Sequence, residues 1–175
     1  MSIHISITEI YQAHHKMVFN LALHYVQNWE DAEEITQDTF VKINNGLSEF
    51  SQRSNLKTWI YRITINQSLD FIKSRNAQKR SFLQQILRMS DPSFNREPAH
   101  FNHPGIELEQ KEATQVIFHA INQLGDKQKT AIILTKIDGR SLNEVAEIMN
   151  TNVKAVESLL HRAKKTLEKK LNRKG

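Results

Sequence analysis

Apolar residues recur at helical spacing along most of the chain, and nowhere do they alternate with polar ones over a strand's length, so helices are predicted throughout. The first starts at a capping box, Ser6 with Glu9, flanked by Ile5 and Ile10 in the positions of a hydrophobic staple. Ile7, Ile10, Tyr11, His14, Val18, Leu21, Ala22 and Tyr25 then form one stripe expected to pack inward. A second helix is expected from about Asp31 to Ile43, with Ala32, Ile35, Thr39 and Ile43 inside. Residues 44 to 55 are rich in turn formers and are expected to form a loop carrying Phe50. The third helix, Leu56 to Arg80, is apolar on two sides, with Leu56, Ile60, Ile63 and Phe71 on one and Tyr61, Ile65 and Ile72 nearly opposite. At 100° per residue, Arg62, Asn66, Lys73 and Arg80 fall within about 40° of one another between those sides. Trp59 borders this polar stripe and Asp70 interrupts its charge.

The pattern weakens over residues 81 to 105, which hold Pro92, Pro98 and Pro104 and read as a linker. It resumes with Ala113, Ile117, Ala120, Ile121 and Leu124, stopped by Gly125 and Asp126, and a further helix carries Ala131 to Leu134 and ends at Asp138 and Gly139. A second capping box, Ser141 with Glu144, opens a short helix on Leu142, Val145, Ala146 and Met149. Asn150, Thr151 and Asn152 break it, and a last helix buries Val153, Val156, Leu160, Ala163 and Leu167. A short capped helix, a tight turn and a longer basic helix make a helix-turn-helix. The expected fold is all-α: two small helical domains, residues 1–80 and 106–175, joined by a flexible linker over 81–105.

Composition adds compartment and partners. The chain of 175 residues has no cysteine, so neither disulfides nor thiolate metal sites support it. It has no apolar run of the roughly 20 residues a membrane span requires, and no basic start leading into one. Membrane insertion is therefore not expected, and the cytoplasm is the expected location. The net charge of +5 is unevenly spread. Glu30, Asp31, Glu33, Glu34 and Asp38 make one acidic stretch; Lys73, Arg75, Lys79 and Arg80 close the first half, and Arg162, Lys164, Lys165, Lys169, Lys170, Arg173 and Lys174 close the chain. Any one such run is readily a solvated face, and acids at a helix start also complement its dipole. Three segregated runs suggest a protein partner together with nucleic acid.

In a helix-turn-helix the start of the second helix enters the major groove, and Lys154, Ser158, His161, Arg162 and Lys165 lie opposite or beside its buried face. The alternative is that these helices merely complete a core. In the first domain, Trp59 and Tyr61 beside Arg62, Asn66 and Lys73 suit opened DNA, whose unpaired bases stack on rings while cations meet phosphates. A tryptophan at helical spacing serves equally as core. Catalytic constellations are lacking: His14 lies on an apolar stripe, and His100 and His103 have no carboxylates at ligand spacing. No phosphate loop, nucleophile elbow or zinc-binding histidine pair occurs, so no catalytic residue, metal or cofactor is assigned.

Taken together, these features resemble the extracytoplasmic-function group of sigma factors, which retain only sigma regions two and four. Asp31-Ala32-Glu33-Glu34-Ile35-Thr36-Gln37-Asp38-Thr39-Phe40 resembles the region-two segment that grips the polymerase beta-prime clamp helices. The resemblance thus implies core-polymerase binding by Asp31, Glu34, Gln37 and Asp38. Phe50 through Trp59 to Arg80 is similar to the loop and helix that capture and melt the minus-10 element, which adds Phe50, Arg53 and Arg80 to Trp59, Tyr61, Arg62, Asn66 and Lys73. Glu144 to Met149 and Val156 to Lys164 resemble the region-four helix-turn-helix that reads the minus-35 element, implying contacts from Lys154, Ala155, Ser158, His161, Arg162 and Lys165. Glu157 and Leu159 depart from that pattern, where many members carry lysine and arginine. The implied partners are core RNA polymerase, through the beta-prime clamp helices and the beta flap, promoter DNA, and an anti-sigma factor. The runner-up is a stand-alone helix-turn-helix repressor or activator. A nucleic-acid enzyme with a targeting module is a third reading, disfavoured by the missing catalytic groups.

Overall fold

The computed structural model describes residues 6–50, 55–89 and 108–172, the side chains of 86–89 and 108–113 excepted. Ile5, Arg53 and the three linker prolines lie outside the described residues. Seven α-helices are present among those described, and no strand.

α1 (Ile7–Val26) starts at the expected box: the Ser6 hydroxyl accepts from the Glu9 amide, and the Glu9 carboxylate accepts from the Ser6 amide at 2.9 Å. Gln27 ends it in the left-handed region, at φ 53°. α2 (Trp29–Gly46) begins two residues earlier than the acidic run indicated, because Asn28 caps it by accepting from the Asp31 amide at 2.9 Å. It continues through Gly46 into a 3-10 turn at Leu47–Glu49, so the expected loop is shorter. α3 (Leu56–Met89) runs nine residues past the expected end at Arg80, into the stretch read as linker. Residues 81 to 89 contain good helix formers and no proline or glycine, so propensity continues the helix where the apolar pattern has stopped.

These three helices form the first unit. Its centre holds Ile10, Val18, Phe40, Ile43 and Ile60, with Ala22, Ala32 and Ile35 packed on one side. Tyr11, expected inside, is 48% exposed: it lies at the edge of the stripe, stacked on His15 at 5.1 Å and tilted against Phe40.

The second unit comprises α4 (Leu108–Asn122), α5 (Asp126–Ile132), α6 (Leu142–Ile148) and α7 (Val153–Leu171). α4 buries Ala120 and Ile121, whereas Ile117, expected on that face, is half exposed. α5 runs on into one π-helical turn, Ile133–Ile137, where the Asp138 amide donates to the Ile133 carbonyl. On α7 the buried line is Val156, Leu159 and Ala163, with Leu160 half buried, so Leu159 joins a face that the pattern assigned to Leu160.

The two units share a core. Leu21, Tyr25, Tyr61 and Ile65 of the first pack in one cluster with Ile121, Leu124, Ile132, Ile133, Leu134, Val145, Ile148 and Val156 of the second.

Candidate nucleic-acid interface

α6, its turn and α7 are shaped by local chemistry. Gly139, at φ 67°, closes the preceding segment in a conformation that disfavours any side chain. The Ser141 hydroxyl then accepts from the Glu144 amide at 3.3 Å while the Glu144 carboxylate accepts from the Ser141 amide at 2.9 Å. Those bonds to Ser141 hold the Glu144 carboxyl below its usual range, aided by Arg140. Asn150 turns the chain at φ 51°, and the Asn152 side-chain oxygen Oδ1 caps α7 by accepting from the Ala155 amide at 2.9 Å. With Val145, Val156 and Ala163 buried, Lys154, Ser158, His161, Arg162 and Lys165 are exposed and Ala155 half buried. The expected reading face is thus assembled on one helix.

In the first unit, Glu34, Gln37 and Asp38 are exposed together on α2. Asp31 is set apart from them, because its carboxylate is paired with the Arg75 guanidinium of α3. Phe50 and Trp59 meet with ring centroids 4.9 Å apart. Trp59 also packs on the core and passes so close to Gly46 that a methyl group there would lie 3.2 Å from its ring. Trp59 is therefore both a core residue and a partly open ring. Asn66 and Arg80 are exposed.

Three of the α3 residues expected at the minus-10 element, Arg62 and Lys73 of the polar stripe and Tyr61 beside it, are engaged by the second unit. Arg62 donates to the carbonyls of Glu147 at 2.7 Å and Ile148 at 3.0 Å, at the C-terminal end of α6, the negative end of its dipole. Tyr61 is buried and donates its hydroxyl to Asp138 at 2.7 Å; burial, then the Asp138 acceptor, push its pKa up and keep the proton in place. Lys73 pairs with Asp126 at 3.0 Å, which raises the lysine's pKa. Thr58 donates to Glu147 at 2.9 Å and the buried Tyr25 to Thr130 at 2.9 Å. Arg140 completes the contact, lying over the Tyr61 ring at 5.5 Å and donating to Asp138 at 2.9 Å. Between α3 and α7 remains a cleft of about 660 Å³ lined by Arg62, Asn66, Ala155, Ser158, Leu159 and Arg162 among others.

Sequence reasoning missed Tyr25, Thr58, Thr130, Asp138, Arg140 and Glu147 as parts of this arrangement. The one signal was the pair of tyrosines on apolar faces, since a buried phenol needs an acceptor. Among the described residues no group of three or more metal-ligating side chains converges, and no helix is long and apolar enough to cross a membrane.

A three-helix unit bearing a cationic and aromatic helix, followed by a helix-turn-helix with an open basic face, defines a DNA-binding protein of two helical modules. Comparison with known proteins narrows this. The family model for Sigma-70 region 2 matches residues 10–78 and that for Sigma-70, region 4, matches residues 114–167, together more than two thirds of the chain. The RNA polymerase sigma factor YlaC of Bacillus subtilis is 26% identical over 168 residues, covering 96% of this chain and 93% of the relative. The ECF RNA polymerase sigma-E factor of Haemophilus influenzae is 29% identical over 157 residues, covering 88% of this chain and 81% of the relative. Among solved structures, CnrH in complex with the cytosolic domain of CnrY aligns with TM-score 0.63 and 21% identity, covering 97% of this chain and 89% of that one. RpoE in complex with the anti-sigma factor NepR from Bartonella quintana aligns with TM-score 0.59 and 24% identity, covering 94% and 96%. The chain belongs to the sigma-70 family, in its extracytoplasmic-function group, and is a transcription initiation factor that directs polymerase to promoters. The stand-alone repressor or activator is not favoured, because the first unit is itself a region-2 match.

Proposed function

We propose that the chain is a non-catalytic, dissociable subunit of RNA polymerase whose two helical units, the first ending with α3 at Met89 and the second starting with α4 at Leu108, divide promoter recognition between them. The acidic edge of α2, carried by Glu34, Gln37 and Asp38 with Asp31 at its start, docks on the basic beta-prime clamp helices. Phe50, Arg53, Trp59, Tyr61, Arg62, Asn66, Lys73 and Arg80 take the minus-10 element: rings receive unpaired bases, and cations and amides meet phosphates and base edges. Lys154, Ala155, Ser158, His161, Arg162 and Lys165 enter the major groove of the minus-35 element, while the second unit rests on the beta flap. An anti-sigma factor opposes this, as the complex of RpoE with NepR illustrates for that protein. The cytoplasm is the compartment in which such a subunit works.

The observation that carries the reading is that region 2 and region 4 matches fall in order on two helical units, the second with its recognition-helix face open. Run-off transcription with purified core polymerase over fragmented genomic DNA tests it. New start sites are expected only when the protein is present, and they should disappear when charge is reversed at Glu34 and Asp38. Absence of new starts and of core binding, with tight binding to duplex DNA alone, overturns it in favour of a stand-alone regulator.

A further inference from the structure

The cleft between α3 and α7 has a lining that promoter recognition does not call for. Its volume, about 660 Å³, falls within the range of about 300–1,000 Å³ typical of small-molecule sites, and it lies where two packed units meet, a common place for them. Surfaces that read DNA are polar and positively charged, whereas Leu69, Met149 and Leu159 give this cleft aliphatic walls. No aromatic ring is among its lining residues, so a purine or pyrimidine finds no platform to stack on. A helix with its side chains is about 10 Å across and rises about 5.4 Å per turn, so the cleft accepts less than two turns of one. A small aliphatic body fits better than either.

The charge of the lining sets the other end of the ligand. Its ionised side chains are Arg62, Lys127, Arg162 and Asp126. Asp126 is matched by Lys73 at 3.0 Å, whereas none of the three cations has an ion-pair partner among the described residues. Arg62 is held by two bonds, from Nε to the Ile148 carbonyl and from Nη2 to the Glu147 carbonyl. Those acceptors carry no formal charge, and Nη1 has no bond among the described residues. A guanidinium fixed in this way, with donors still free, receives an anionic oxygen with little further loss of side-chain freedom. Arg162, on α7, supplies a second guanidinium to the same cleft.

We propose that the cleft is a binding site for a small aliphatic anion, an acyl or alkyl chain ending in a carboxylate or phosphate, with the chain on Leu69, Met149 and Leu159 and the head on Arg62 and Arg162. Ser158 and Arg162 are also among the side chains assigned above to the minus-35 element, so ligand and DNA compete for them. That competition, unlike the site itself, rests on the proposed function.

Decanoate is the probe, titrated into the full chain by isothermal calorimetry without DNA. One saturable site per chain is expected. Decanol, which lacks the charge, should bind about tenfold more weakly, and butanoate, six methylenes shorter, about a hundredfold more weakly. Arg162 and Asn66 are exposed and can be replaced without touching the core. Arg162→Gln should weaken decanoate binding by about tenfold, and Asn66→Trp, which puts a bulky ring into the cleft, at least as much. Far-ultraviolet circular dichroism checks that each variant keeps the parent's helicity, and decyl phosphate run in parallel tells a phosphate head from a carboxylate. Binding that is absent, unsaturable, as strong for decanol, or unchanged in both variants overturns the proposal. Saturating decanoate should also lower the parent chain's affinity for duplex promoter DNA several-fold. If decanoate binds as expected and duplex affinity does not change, the site stands and the minus-35 assignment of Ser158 and Arg162 fails.

Discussion

Lys129 shows what a single side chain can hide. In the sequence it belongs to a polar run, Asp126-Lys127-Gln128-Lys129, yet it is 3% exposed and its pKa is lowered by burial, with Asp126 opposing the shift. A base with a depressed folded-state pKa gives up its proton more easily in the native chain, so stability rises as pH climbs through the window below the ordinary lysine value. At neutral pH the ammonium remains a cost. Lys129→Met should therefore raise the melting temperature by about 2–8 °C near neutrality and flatten the alkaline rise, measured by thermal unfolding at several pH values. His24 works in the same direction at lower pH. Its Nδ1 is buried without a partner, and burial lowers its pKa from 6.5 against the pull of Asp138. His14 is lowered too, by burial and then by Lys57. For both, the unfolded chain binds more protons, so stability is lost as pH falls through and below about 6.5. The urea midpoint at about pH 5.5 should lie below that at about pH 7.5, and His24→Phe should reduce the difference.

At the scale of elements, helix starts were legible because caps are local: the Ser6 and Ser141 boxes and the Asn152 cap depend on residues three apart in sequence. The helix-turn-helix was legible for the same reason. The end of α3 was not, since Phe82 and Leu83 are exposed and continue no inward stripe for a periodicity to follow. The two boxes differ in what rests on them. α1 has 20 residues and is held by the first unit's core, whereas α6 has seven and must present its C-terminal carbonyls and hold α7 in place. Ser6→Ala and Ser141→Ala should each lower unfolding free energy by about 1 kcal/mol in urea titrations. Only Ser141→Ala should also weaken binding to a minus-35 duplex, read by fluorescence anisotropy.

Across the whole molecule, the sequence carried the parts and not their mutual arrangement. Arg62 on a polar stripe fits a phosphate and a helix-end carbonyl equally well, and its partners lie 85 and 86 residues away, beyond the reach of any periodicity. Tyr61 and Tyr25 likewise find acceptors 77 and 105 residues distant. The shared apolar cluster makes a thermodynamic claim: two units with one core should unfold as one. Both tryptophans, Trp29 and Trp59, belong to the first unit, so tryptophan fluorescence follows that unit alone while far-ultraviolet circular dichroism follows helices of both. The two signals should give coincident urea transitions for the parent chain. Tyr25→Phe removes the donor to Thr130 and leaves that buried hydroxyl unmatched, at about 1 kcal/mol for the lost bond. With Thr58→Ala added, the interface loses a second cross-unit bond, and the circular-dichroism midpoint should separate from the fluorescence midpoint as the units begin to unfold independently. Coincident, unshifted transitions in the double variant would show that the units are held by their apolar contact alone, and that the polar bonds merely set which way they face.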